Sequence, residues 1–222
     1  MILSLDFNKK IAFTLAEVLI VVAIIGVTAV LTIPNLSTGI EEDKVVTKLK
    51  ATADMLESAY AQTMMEHPSE VDEFSYITDN SFCTHLLEHL KVGKVCGENS
   101  GCFSANAPKE LEGSNLLDDA IEDKSTHFCS FILDNGVSVS VEKGRVYIDL
   151  DGPDKGENTH GKDLFVANVG LSGTLVGVDP ELRQSNKYKL SYEPLAWIRQ
   201  NGNMDYLKCL DSLNWNSQTT CP

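Results

Sequence analysis

From Ile11 to Leu36 the chain reads IAFTLAEVLIVVAIIGVTAVLTIPNL, apolar apart from Thr14, Glu17, Thr28, Thr32 and Asn35. A run of this length matches the roughly 20 residues with which a helix crosses a bilayer. The expectation is a single membrane span. Lys9 and Lys10 precede the run, and Glu41, Glu42 and Asp43 follow it. That charge bias keeps the N-terminus in the cytoplasm and sends the rest of the chain across. Glu17 is out of place, because a carboxylate within an apolar core costs on the order of a few kcal/mol. An ordinary cleaved signal excludes such a charge. A simple membrane anchor does not fit either, since the helical pattern continues beyond the apolar run.

In EEDKVVTKLKATADMLESAYAQTMMEH, the positions Val45, Leu49, Ala53, Leu56, Ala59 and Tyr60 recur at spacings of three and four. One face is therefore apolar and the other charged. Pro68 ends the pattern. A helix from Phe13 to about His67 would be roughly 80 Å long at the usual rise. Pro34 removes one backbone hydrogen bond inside it and Gly26 weakens it one to two turns earlier, so a bend or local melting is expected between them.

The segment Lys9-Lys10-Ile11-Ala12-Phe13-Thr14-Leu15-Ala16-Glu17-Val18-Leu19-Ile20, followed by Gly26 and Pro34, resembles the N-terminal signature of type IV pilins and type II secretion pseudopilins. The resemblance covers residues 9 to 34 or a little more of the 222. It implies cleavage by a prepilin peptidase between Ala12 and Phe13 and methylation of the new Phe13 amine. The family usually has Gly before the cut, where this chain has Ala12. Residues 1–12 then form a leader, 13–36 a transmembrane and assembly helix, 37–68 its amphipathic continuation and 69–222 a periplasmic globular domain. The resemblance further implies a pilin-like α+β fold and a structural rather than enzymatic role. The expected location is the inner membrane, single pass, and then an extracytoplasmic filament. The implied partners are identical or related pilin subunits, the peptidase, an inner-membrane platform protein and a secretion ATPase. Phe13, Glu17, Gly26 and Pro34 become the assembly residues. A methylated ammonium at Phe13 and a carboxylate at Glu17 are both costly in hydrocarbon, and a neighbouring subunit can supply each with its opposite charge.

The remainder of the 222 residues contains enough apolar material for a core, with 43% hydrophobic side chains overall. The 32 acidic against 18 basic residues give a net charge of -14, which disfavours a role coating nucleic acid. Six cysteines without a CxxC pair fit disulfides in an oxidising compartment better than a zinc site. Residues 69–126 read as loop-rich, with short helical pieces around Ser81 to Leu90 and Leu116 to Ile121. FCSFIL, VSVSV and RVYIDL alternate as strands joined by DNG and EKG turns, which is a β-meander. LFVANVG and GTLVGV either add a second hairpin or extend the same sheet, and Pro194 to Leu213 reads as a C-terminal helix. A long helix on an antiparallel sheet is an α+β arrangement. Sequence alone fixes no disulfide connectivity. The expectation adopted is Cys83 with Cys96 and Cys102 with Cys129. The pilin resemblance implies Cys209 with Cys221, clamping the last loop.

Two motifs invite metal chemistry. His85-Leu86-Leu87-Glu88-His89 fits H-x-x-E-H, in which two His hold zinc and Glu serves as base. An amphipathic helix with solvent-facing His and Glu accounts for the same letters, and no second zinc-protease motif accompanies them. The second motif runs from Asp149 to Asn158, DLDGPDKGEN, with Asp163 close behind. Asp149, Asp151, Asp154, Asn158 and Asp163 offer the hard oxygen ligands that Ca²⁺ takes, although the loop is not an EF-hand. This DxDG loop followed by GKDLF is similar to segments after the sheet in major-pseudopilin-like proteins, several of which bind calcium. A polar turn using Asp and Gly for their dihedral preferences reads the same way. Beside the filament subunit stand two alternatives: a membrane-anchored or secreted calcium or ligand-binding module with an ordinary signal, and a zinc hydrolase using His85, Glu88 and His89.

Overall fold

A computed structural model describes residues 15–71, 81–97, 101–103, 109, 111, 129–142, 144–170, 172–177 and 193–222, without the side chains of 28–40. The chain divides into two units, Met1–Glu41 and Glu42–Pro222. Helix α1 spans Leu15–Glu66, 52 residues, and is continuous through Gly26 and Pro34. The local melting expected there is absent from its backbone. In the first unit, Leu15, Val18, Leu19, Ile20, Val21, Val22, Ile24, Ile25 and Val27 are all exposed, at 49% or more. Among the described residues no helix is long and apolar enough to cross a membrane. The apolar run 13–36 extends beyond the described side chains at both ends.

In the second unit, the spacing of three and four along α1 buries Val46, Leu49, Ala53, Leu56 and Tyr60, while Val45 is half-buried. A 3-10 turn at Pro68–Glu70 follows α1, and Pro68 is its first residue. Helix α2 covers Ser81–Glu88. The strands are β1 (Val92–Val95), β2 (Cys129–Leu133), β3 (Ser138–Glu142), β4 (Arg145–Asp149), β5 (Leu164–Val169) and β6 (Leu175–Val176). They form one antiparallel sheet in sequential order. The β3–β4 ladder runs from Ser138 opposite Asp149 to Glu142 opposite Arg145. Alternate strand positions, Phe131, Val139, Ile148, Phe165 and Ala167, join the buried face of α1 in a single core. Each large side chain so buried stabilises by about 1.5–3 kcal/mol. The α+β class expected from the sequence is what the described residues show.

Of the two arrangements left open for LFVANVG and GTLVGV, the structure shows the extension of the same sheet, as β5 and β6. Two other readings are corrected. The C-terminal helix does not run from Pro194 to Leu213. Helix α3 stops at Asn201 because Gly202 takes the left-handed conformation (φ 72°) and donates its N–H to Ile198. A short α4 (Tyr206–Cys209) and a 3-10 turn (Leu210–Ser212) follow. The second correction concerns the disulfides, which join Cys83 to Cys129 and Cys96 to Cys102, not Cys83 to Cys96 and Cys102 to Cys129. The reason is β1, a strand missing from the sequence reading. Its pairing with β2 holds Cys96 N–H on the Ser130 carbonyl, so Cys96 meets Cys102 in the loop just beyond. Cys129, at the start of β2, is then left for Cys83 on α2, whose neighbours Phe82 and Leu86 pack into the core. Cys209 and Cys221 are bonded to each other, the pair that the pilin resemblance implies. The helical piece expected at 116–121 lies outside the described residues.

Candidate functional site

Two groups of side chains in the second unit have ligand character. The first is the loop after β4. Asp149 is wholly buried at the strand end, and its Oδ1 accepts the N–H groups of Asp151 and Gly152. Its Oδ2 is buried with no hydrogen-bond donor. Burial first, and then the neighbouring Asp151 carboxylate, push the Asp149 carboxyl up to about 7. Asn158 adopts φ 49°, is buried, and its Oδ1 also lacks a partner. Asp163 accepts the N–H groups of Glu157 and Thr159. Gly156 (φ 73°) passes so close to the Asp151 and Asp163 carboxylates that a Cβ there would collide with both. Asp154 is exposed, and nothing among the described contacts ties it to the rest.

Lys48 of α1 reaches this loop. Its ammonium donates to the Leu150 carbonyl at 2.5 Å. Burial pushes it below the ordinary lysine range, while Asp151 and Asp149 pull it the other way. One positive charge therefore already stands beside the two carboxylates. The oxygen donors of Asp149, Asp151, Asn158 and Asp163 fit a hard cation chemically. Two of them carry buried atoms with no partner, as a ligand set would. The loop is not closed around a point: among the described residues, the group of three His, Cys, Asp or Glu ligand atoms lying within 4.8 Å of one another is His67, Glu70 and His85.

That second group sits where α1 gives way to the 3-10 turn and α2. Glu70 is buried, and its carboxylate accepts the Ser81 hydroxyl at 2.9 Å. His85 Nδ1 lies 2.9 Å from one Glu70 oxygen and 3.1 Å from the other, and His67 Nδ1 lies 3.7 Å from the first. The two imidazoles are parallel and stacked, with centroids 3.5 Å apart. His89 Nε2 faces Glu66 at 3.3 Å. Glu88 is exposed and belongs to neither contact. The H-x-x-E-H letters thus do not assemble as a zinc-protease motif. His85 turns to Glu70, a residue outside the motif, and no periodicity links Glu70 to it.

Ala12 and Phe13 lie outside the described residues. Glu17 is exposed in the first turn of α1, and an added Cβ at Gly26 would meet nothing within 4 Å. The helix backbone continues through Pro34. Compared with protein-family models, curated proteins and solved structures, the chain matches none.

Proposed function

We propose that the chain is a structural subunit of a pilin-like filament, a pilin or type II secretion pseudopilin. The observation that carries this reading is α1 itself. One continuous helix carries a run of exposed apolar side chains from Leu15 to Val27, and an amphipathic half that covers a disulfide-bonded sheet. Apolar side chains exposed on every side need either lipid or other helices around them. A subunit stored in a membrane and then extracted into a fibre gives them both in turn. On this reading residues 13–36 are the span and the filament core, the globular domain is periplasmic, and Glu17 pairs with the methylated Phe13 amine of a neighbouring subunit. A prepilin peptidase, a platform protein and a cytoplasmic ATPase then act on it. Mass spectrometry of the membrane fraction tests the reading. A mature chain starting at methylated Phe13 is expected; one retaining Lys9 and Lys10, or starting beyond Ala29, overturns it.

The partnerless oxygens of Asp149 and Asn158 favour calcium in the loop after β4, either within the pilin reading or in a calcium-binding module anchored by an ordinary signal. Asp149, Asp151, Asn158 and Asp163 would hold the ion, which would neutralise carboxylates that otherwise repel one another.

A further inference from the structure

We infer that His67, Glu70 and His85 form a binding site for a divalent transition cation of the Zn²⁺ class, and that this cation staples the end of α1 to α2. A tetrahedral ion bound at 2.0–2.1 Å separates neighbouring ligand atoms by about 3.3 Å. The two nitrogen-to-oxygen spacings centred on one Glu70 oxygen, 2.9 Å to His85 Nδ1 and 3.7 Å to His67 Nδ1, bracket that edge. Two imidazoles and one carboxylate are a zinc donor set with a fourth position left for water. Ca²⁺ is excluded on chemistry, since it takes six to eight oxygens and these donors offer nitrogen. Glu70 is held in place as a ligand, because it is buried and Ser81 fixes one of its oxygens by a hydrogen bond of 2.9 Å.

The stacked rings define what binding must change. An ion coordinated by both Nδ1 atoms lies near the plane of each ring, whereas these planes are parallel. One ring has to turn. His67 is the one placed to do so, at the junction between α1 and the 3-10 turn with its side chain 32% exposed. The mechanical consequence comes from connectivity. Helix α2 is tied to β2 through Cys83 and Cys129, so an ion held by His67 and His85 links the end of α1 to the sheet through α2.

The experiment uses the full chain, untagged, oxidised and in detergent, titrated with Co²⁺ as a spectroscopic stand-in for Zn²⁺. The expected result is one equivalent giving the intense visible absorption of a tetrahedral site, displaced by Zn²⁺. His85→Ala should weaken binding by at least about 100-fold, the upper range for losing only an outer-shell partner. His67→Ala, at the more exposed position, should do the same and serves if the His85 variant misfolds. Glu88→Ala, on the same helix but exposed and outside both contacts, should leave the titration unchanged. No visible band in the wild type, or a band whose midpoint is the same in His67→Ala, overturns the inference. So does a band lost only in an Asp149→Ala/Asp151→Ala variant.

Discussion

Asp149 is a carboxyl that the fold keeps away from water and beside another carboxyl, and its titration should be visible in stability. Its ordinary value is 3.8 and the native state raises it to about 7, burial first and the Asp151 carboxyl second. Between those values the folded chain holds a proton that the unfolded chain has lost. The stabilisation it contributes is therefore complete below 3.8 and disappears as pH rises through about 7. Urea midpoints of the wild type should fall across that window relative to Asp149→Asn, whose neutral amide has no proton to lose. Millimolar Ca²⁺ should abolish the wild-type slope, because a bound cation keeps the carboxylate ionised; a slope insensitive to calcium leaves the loop an ordinary polar turn. At this scale the DxDG spacing was legible as an oxygen-rich loop. The burial of Asp149 and the intervention of Lys48 were not, because they depend on tertiary packing that brings other elements onto the loop. The His67, Glu70 and His85 group escaped for the same reason. Its members come from α1's end, a 3-10 turn and α2, while the local letters pointed to Glu88.

Among the elements, the amphipathic half of α1 and strands β2 to β5 were legible because α1 carries a 3.6 period and the strands are short apolar or alternating runs bounded by turn residues. Strand β1 was not: VGKV is short, mostly exposed, and held by its pairing with β2. That single omission misdirected the cysteine pairing. Two elements also meet through a contact no local pattern announces, Arg199 of α3 with Glu57 of α1, with the Leu175 N–H of β6 donating to the same carboxylate at 2.7 Å. Burial pushes the Glu57 carboxyl up, but the Arg199 and Leu175 hydrogen bonds outweigh it and hold the group below its ordinary 4.5. Its contribution is then present above 4.5 and lost as pH falls through the lower native value. Glu57→Gln should cost about 1 to 2 kcal/mol at neutral pH, the range of charged hydrogen bonds reduced for partial exposure, and nothing once the carboxyl is protonated. Urea melts at pH 7 and in acid check both halves. The disulfides should differ in worth as their loops do. Cys83–Cys129 closes 46 residues and Cys96–Cys102 only 6. On loop entropy, replacing the first pair with Ala should cost about 4 kcal/mol and the second about 2. Equal losses would mean that residual structure in the unfolded chain dominates.

For the whole molecule, the controlling question is what covers the apolar first unit of a helix whose second unit is covered by the sheet. In a membrane, lipid covers it, and Glu17 is the one acidic side chain in the run from Ile11 to Leu36. Burying that carboxylate in hydrocarbon is costly, so removing it should favour membrane residence. In the proposed filament, helices would cover one another, and Glu17 would gain a methylated amine from the next subunit, an exchange that would fix the axial stagger. The two environments therefore respond to the same substitution with opposite sign. Glu17→Ala should be inserted and retained in the membrane at wild-type level or above, should be cut after Ala12 as before, and should yield few filaments. Membrane fractionation, mass spectrometry of the mature N-terminus and electron microscopy read the three outcomes separately. Loss of the protein from the membrane would show that Glu17 serves insertion. Wild-type filament yield would show that subunits find their stagger without it, and the pairing of Glu17 with the Phe13 amine would be wrong.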